Sequence, residues 1–216
     1  MFVPRYARFE VVVDERLQSL LADPRIFRPR RMDGGGATLS TGHIDLDACL
    51  PGGGWRLGKL NELLAGEWGI GELRLLMPAL QRQAVNGGGR LLWVAPPYLP
   101  YAPALAAAGL QAEQNLVTCP ERGSDRIWVV EQALLSGACS AVLAWDSGWR
   151  NPQLRRLQLA AQDSAAPVFL FRSPDAGRQP SPASLRLQLA PHPDGLEVML
   201  LKVSGGRTGR IVLRDL

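Results

Sequence analysis

Lysine is almost missing from this chain: of its 24 basic residues only Lys59 and Lys202 are lysine, and the rest are arginine. Chemistry that needs a lysine, whether a Schiff base or a phosphate-loop cation, therefore has two positions to choose from. Histidine is as scarce. His43 and His192 lie far apart with no cysteine or carboxylate pattern beside either, so both read as surface or loop residues. Three cysteines, Cys49, Cys119 and Cys139, are odd in number and lack C-x-x-C spacing. That suggests neither a disulfide framework nor a zinc site and leaves them as small buried hydrophobes. No G-x-S-x-G segment is present. No run approaches the ~18 uninterrupted apolar residues of a membrane helix. The opening "MFVPRYARFEVVVDER" mixes charges into its apolar run instead of offering a signal-peptide core, so a cytoplasmic protein without a membrane partner is expected. The formal charge of +4 is too small alone to argue for nucleic acid.

What is present is a chain of 216 residues, 46% hydrophobic and 20% charged, long enough to bury one large core. Residues 1–36 read as an N-terminal arm: an apolar "FEVVV", a short helical period in Leu17, Leu20 and Leu21, an Arg/Pro-rich "PRIFRPRRM" and a triple-glycine break. Residues 37–190 read as the core, in which strand-like and helix-like stretches alternate as in an α/β protein with a mostly parallel sheet and flanking helices. "RLLWVA", "NLVT", "AVLAW" and "PVFLF" are short, nearly continuous apolar runs, as strands buried on both faces should be. One predicted helix spans "SDRIWVVEQALLSG", capped by Ser124 and closed by Gly137; another starts with Asn151 as its cap and Pro152 at its first position. Residues 191–216 follow as edge strands with a basic tail.

The stretch "NELLAGEWGIGELRLL" places Gly66, Gly69 and Gly71 between an apolar run and a helical period carrying Leu73, Leu76, Met77, Leu80 and Ala84. A strand, a glycine-rich loop and a helix in that order is the layout of a phosphate loop. Pro78 inside the helical period is expected to bend it. The segments "STGHIDLDACLPGGGWRLGKLNELLAGEWGIGEL" and "SGACSAVLAWDS" resemble, in order, the ATPase core of the RecA recombinase family, from Ser40 to about Phe171. That resemblance implies a RecA-like fold of the P-loop NTPase type, with Asp146 at the Walker B position. A Walker A loop requires G-x-x-x-x-G-K-[ST], so that amides and a lysine hold the phosphates and a hydroxyl holds Mg²⁺. Here the lysine slot falls on Gly71 or Glu72 and the glutamate slot of the family on Pro97. The expectation is a vestigial loop formed by Gly66, Glu67, Gly69, Gly71 and Glu72, a vestigial Asp146, no cofactor and no catalytic residue. Asp146 reads better as a hydrogen-bonded residue at a strand end than as a metal ligand.

Within that superfamily "TGHIDLDACLPGGGW", "LLWVAPPYLPYAPALAAAGL" and "EQALLSGACSAVLAW" resemble the ImuA family. The resemblance implies an adaptor for SOS-induced, error-prone translesion synthesis that binds the Y-family-like ImuB, with RecA and an error-prone C-family polymerase as further partners and direct DNA contact left open. The alternative is a SulA-like division inhibitor that binds FtsZ. Candidate partner-binding residues are Leu17, Leu20 and Leu21 in the arm; Trp68 and Trp149, expected in loops as exposed anchors; Tyr98 and Tyr101 in the rigid "PPYLPYAPAL"; and Arg207, Arg210 and Arg214 at the basic end.

Overall fold

The apolar runs become strands because each is short, branched or aromatic, and bounded by glycine or proline. The computed structural model describes residues 37–86, 88–146, 148–214 and 216, and the backbone of Glu10–Val11; Leu17, Leu20, Leu21 and the rest of the proposed arm lie outside the described residues. In chain order the strands are β1 (Glu10–Val11), β2 (Thr38–Leu39), β3 (Trp55–Arg56), β4 (Leu60–Ala65), β5 (Arg90–Val94), β6 (Asn115–Thr118), β7 (Cys139–Trp145), β8 (Val168–Arg172), β9 (Leu185–His192), β10 (Gly195–Val203) and β11 (Gly209–Arg214). The α-helices are α1 (Ile44–Cys49), α2 (Glu72–Asn86), α3 (Ala102–Ala107), α4 (Gly123–Ser136) and α5 (Asn151–Gln162).

Nine strands form one sheet in the order β1-β6-β5-β7-β8-β4-β9-β10-β11, and β2 pairs with β3 separately. From β1 to β9 neighbours run parallel; β10 and β11 return antiparallel at the far edge. The result is an α/β architecture with a large, mostly parallel mixed sheet flanked by helices. Alternate side chains of each strand feed opposite cores. On one face Leu63, Trp93, Leu143 and Phe171 pack against Leu75, Leu76, Ala79 and Leu80 of α2; on the other Leu60, Leu92, Val142 and Leu170 pack against α4 and α5 through Ile127, Val130, Leu154 and Leu157.

Local signals differ from expectation at three points. Helix α4 begins at Gly123 with Arg122 as its cap, and the Ser124 hydroxyl bonds Asp125 instead of a backbone amide. Asn151 is likewise the first helical residue of α5, where the Arg150 amide donates to Gln153 Oε1 at 2.7 Å and satisfies the helix start without an asparagine cap. Cys119 is exposed and Cys49 half-buried, so only Cys139 is a core residue. Helix α2 runs through Pro78, whose ring packs on Gly42: a Cβ at Gly42 would sit 2.3 Å from the Pro78 Cβ, and φ there is +88°. Ahead of that contact the entry segment folds around Asp47, which accepts from the Ser40 hydroxyl at 2.6 Å and the Thr41 amide at 2.8 Å.

Candidate functional site

In a sheet of this kind ligands bind in the crevice beyond the carboxyl ends of the parallel strands. Four connections meet there: residues 66–71 after β4, 95–101 after β5, 146–150 after β7, and the turn after β8. Gly69 and Gly71 take φ of +85° and +109°, conformations open to glycine, and nothing crowds either α-carbon. Gly66 and Glu67 are exposed, while Glu72 is buried at the first position of α2. The Glu72 carboxylate turns back on the loop and accepts the Gly69 N–H at 2.9 Å and 3.1 Å. An anion at a helix N-terminus is favoured by the macrodipole. Here the chain supplies that anion itself.

Beside the loop lies a charge cluster that the sequence reading missed. Glu62, in the middle of β4 and fully buried, accepts from Arg172 Nη1 at 3.1 Å, Arg186 Nε at 2.6 Å and the Ser181 hydroxyl at 2.5 Å. Arg172, closing β8, also donates to Asp146 Oδ2 at 2.6 Å and to the Trp149 carbonyl at 2.9 Å. Arg186 reaches the carbonyls of Ala176, Gly177 and Gln179. Two carboxylates and two guanidiniums balance, and every arm finds partners, which is the condition for burying such groups. Asp146 additionally accepts the amides of Gly148 and Trp149 at 2.7 Å and 2.5 Å. Its oxygens are committed to the fold. The available signal was a glutamate inside the apolar strand "LNELLA" and arginines ending or entering "VFLFR" and "LRLQL".

On the α2 side of the crevice an aromatic series continues from the core to the surface. Trp93 and Trp145 stack at 6.1 Å, Trp145 and Phe171 at 4.4 Å, and Trp68 meets Phe171 edge-on at 6.1 Å. Trp68, Trp93 and Trp145, with Leu73, Tyr98 and Tyr101, line a pocket of about 220 Å³. Trp68 is half-buried in its wall, Pro97 sits on its rim, and Tyr98 and Tyr101 are exposed there. Trp149, expected as an exposed anchor, is instead buried in the core beneath α4 and α5, because its backbone closes the Asp146–Arg172 turn and draws the indole inward. Arg207, Arg210 and Arg214 lie at the other end of the sheet, on and before β11, and are exposed. Arg210 pairs with Glu197 at 2.5 Å. The structure thus brings the glycine loop, Glu72, Asp146, Trp68, Tyr98 and Tyr101 to one crevice and separates the arginines from it.

Titration shifts lie outside the crevice. Burial pushes the Cys139 thiol up to about 12, burial also raises Cys119, and the hydrogen bond from Arg156 holds Glu131 below the ordinary carboxylate range. Among the described helices none is long and apolar enough to cross a membrane.

No family model matches the chain. Among curated proteins it is similar to Protein ImuA of Caulobacter vibrioides, 27% identical over 201 aligned residues that cover 82% of each chain. It is also similar to the cell division inhibitor SulA of Photorhabdus laumondii, 33% identical over 116 residues, covering 54% of this chain and 65% of the relative. SulA of Edwardsiella piscicida is 30% identical over 106 residues, covering 49% and 62%. The SulA similarity covers only about half of the chain, whereas the ImuA similarity runs through most of it, which supports the resemblance to the ImuA family.

Proposed function

We propose that this chain is a non-catalytic, RecA-like accessory protein of SOS-induced translesion synthesis, an adaptor that binds an ImuB-type Y-family partner. RecA and an error-prone C-family polymerase are its further partners in this reading. The observation that carries it is the self-occupied phosphate loop, in which Glu72 takes the Gly69 amide that a phosphate would use. A phosphate oxygen about 4 Å from that carboxylate would meet repulsion of roughly 4 kcal/mol at an effective dielectric near 20. No lysine offsets it, since Lys59 and Lys202 both lie outside the loop. Asp146 already neutralises Arg172 through Oδ2 and accepts two amides through Oδ1, so holding Mg²⁺ would compete with these bonds. A RecA-like ancestry is supported by the route of the chain, from β4 through the glycine loop into α2, with β7 ending in Asp146 two strands away. Residues 1–36 and the exposed arginines of 191–216 are the extensions this reading assigns to partners outside the core.

Similarity to ImuA along most of the chain supports the mutagenesis pathway over others. The test is a titration of the purified chain with an ImuB-type protein. A 1:1 complex at micromolar or tighter affinity is expected, and no complex at about 10 µM would overturn the reading. The second reading, a SulA-like division inhibitor, is favoured by the 33% identity to SulA over about half of the chain. It requires that the protein lower FtsZ GTPase activity and make cells filament without DNA damage.

A further inference from the structure

Exposed large apolar side chains of the described residues are scattered singly over α1, α2, α4, α5 and β10, except at one place. In the connection after β5, Tyr98 is 77%, Leu99 61% and Tyr101 66% exposed, and all three line the pocket walled by Trp68. Such a cluster around a concavity marks a binding site more often than scattered exposed residues do. Pro96, Pro97 and Pro100 frame the connection and fix φ at each step, so little conformational freedom is lost when something docks. Tyrosine and tryptophan walls offer large contact area with few rotatable bonds.

Size and charge select the occupant. At about 220 Å³ the pocket falls below the ~300–1,000 Å³ of drug-sized ligand sites and matches one large inserted side chain. No lysine or arginine is among its lining residues; the one charged lining residue is Glu72, and Glu67 is exposed beside Trp68. A phosphate-bearing ligand or a DNA backbone would approach carboxylates with no cation to receive it. We propose that this pocket is the docking site for a segment of a partner protein that inserts an aromatic or branched aliphatic side chain between Trp68 and the Tyr98–Tyr101 ridge. A lysine or arginine flanking that anchor meets Glu67. This deepens the adaptor reading and rests on it for the partner's identity, while the site and its chemistry stand on the pocket alone.

The test compares the full-length protein with Leu99→Asp, Tyr101→Ala and Glu67→Arg, and with Ile44→Asp as a control on α1, where the side chain is 86% exposed. All should keep the parental melting temperature. Against the ImuB-type protein, Leu99→Asp and Tyr101→Ala should each weaken affinity about tenfold or more, as loss of a central anchor does. Glu67→Arg should weaken it several-fold and flatten its salt dependence, and Ile44→Asp should leave it unchanged. Equal affinity for the parent and Leu99→Asp overturns the proposal. If the parent binds no ImuB-type protein, the adaptor reading fails, and the pocket is judged by panning a displayed random-peptide library with Leu99→Asp as counter-selection. Peptides sharing an aromatic or aliphatic anchor beside Lys or Arg uphold it; acidic peptides, or none, overturn it. Binding of a thymidine oligonucleotide that is lost in Tyr101→Ala would also overturn it, in favour of base stacking.

Discussion

Glu62 is a fully buried carboxylate that ties β4 to its neighbours on both sides. It joins Arg172 of β8, Arg186 of β9 and Ser181 of the intervening loop. Removing one partner of such a buried set leaves charge without compensation, so Glu62→Ala should cost about 3–5 kcal/mol in urea denaturation, whereas breaking the solvent-screened Arg156–Glu131 pair should change stability far less. A loss below about 1 kcal/mol for Glu62→Ala would mean that Arg172 and Arg186 find sufficient partners without it. Cys139 gives a second prediction. Its thiol is held near 12 in the fold against a reference of 9.0, so the folded state keeps a proton that the unfolded chain gives up. The stability this contributes is complete below pH 9 and is lost as pH rises toward about 12. Cys139→Ala should therefore flatten the alkaline fall of the denaturation midpoint. In the parent, iodoacetamide should label exposed Cys119 in the folded state and Cys139 only after unfolding.

Helix α2 is fixed at its start by Glu72 and along its length by Pro78, which fills the space left by Gly42. An alanine at position 42 would meet a ring atom that cannot rotate away, in a backbone conformation that L-residues avoid. Gly42→Ala should destabilise by about 1–3 kcal/mol, measured by thermal melts, with Gly69→Ala milder because only backbone strain applies there. Most elements were legible in the residues. The parallel strands matched their apolar runs to within one or two positions, since a strand buried on both faces needs nothing but apolar residues. Helix starts were less legible. Ser124 and Asn151 are good cap residues by type, yet Arg122 and Arg150 occupy the caps, because where the backbone leaves the preceding turn decides which residue stands there.

For the molecule as a whole, the proposed vestigial loop, whose Gly69 amide is taken by Glu72, predicts a fold indifferent to nucleotide. Adding about 1 mM Mg-ATP should leave the melting temperature unchanged, whereas a site with a Kd of about 10 µM would stabilise the protein by about 2.7 kcal/mol. A clear upward shift would refute the vestigial loop. Among the described residues β11 is the last strand of the sheet, and the exposed Arg210 and Arg214 along it place charge at that edge, which disfavours strand addition.

From the residues alone came the α/β class, the glycine loop without a lysine, and the resemblance to ImuA, because apolar periodicity and local motif order are written along the chain. Three-dimensional packing settled that Trp149 turns inward while Trp68, Tyr98 and Tyr101 share a pocket, and that Glu62, Asp146, Arg172 and Arg186 form one network. Those residues are up to 124 positions apart. Only the pairing of β4 with both β8 and β9 brings them within hydrogen-bond reach, and no local pattern encodes that adjacency.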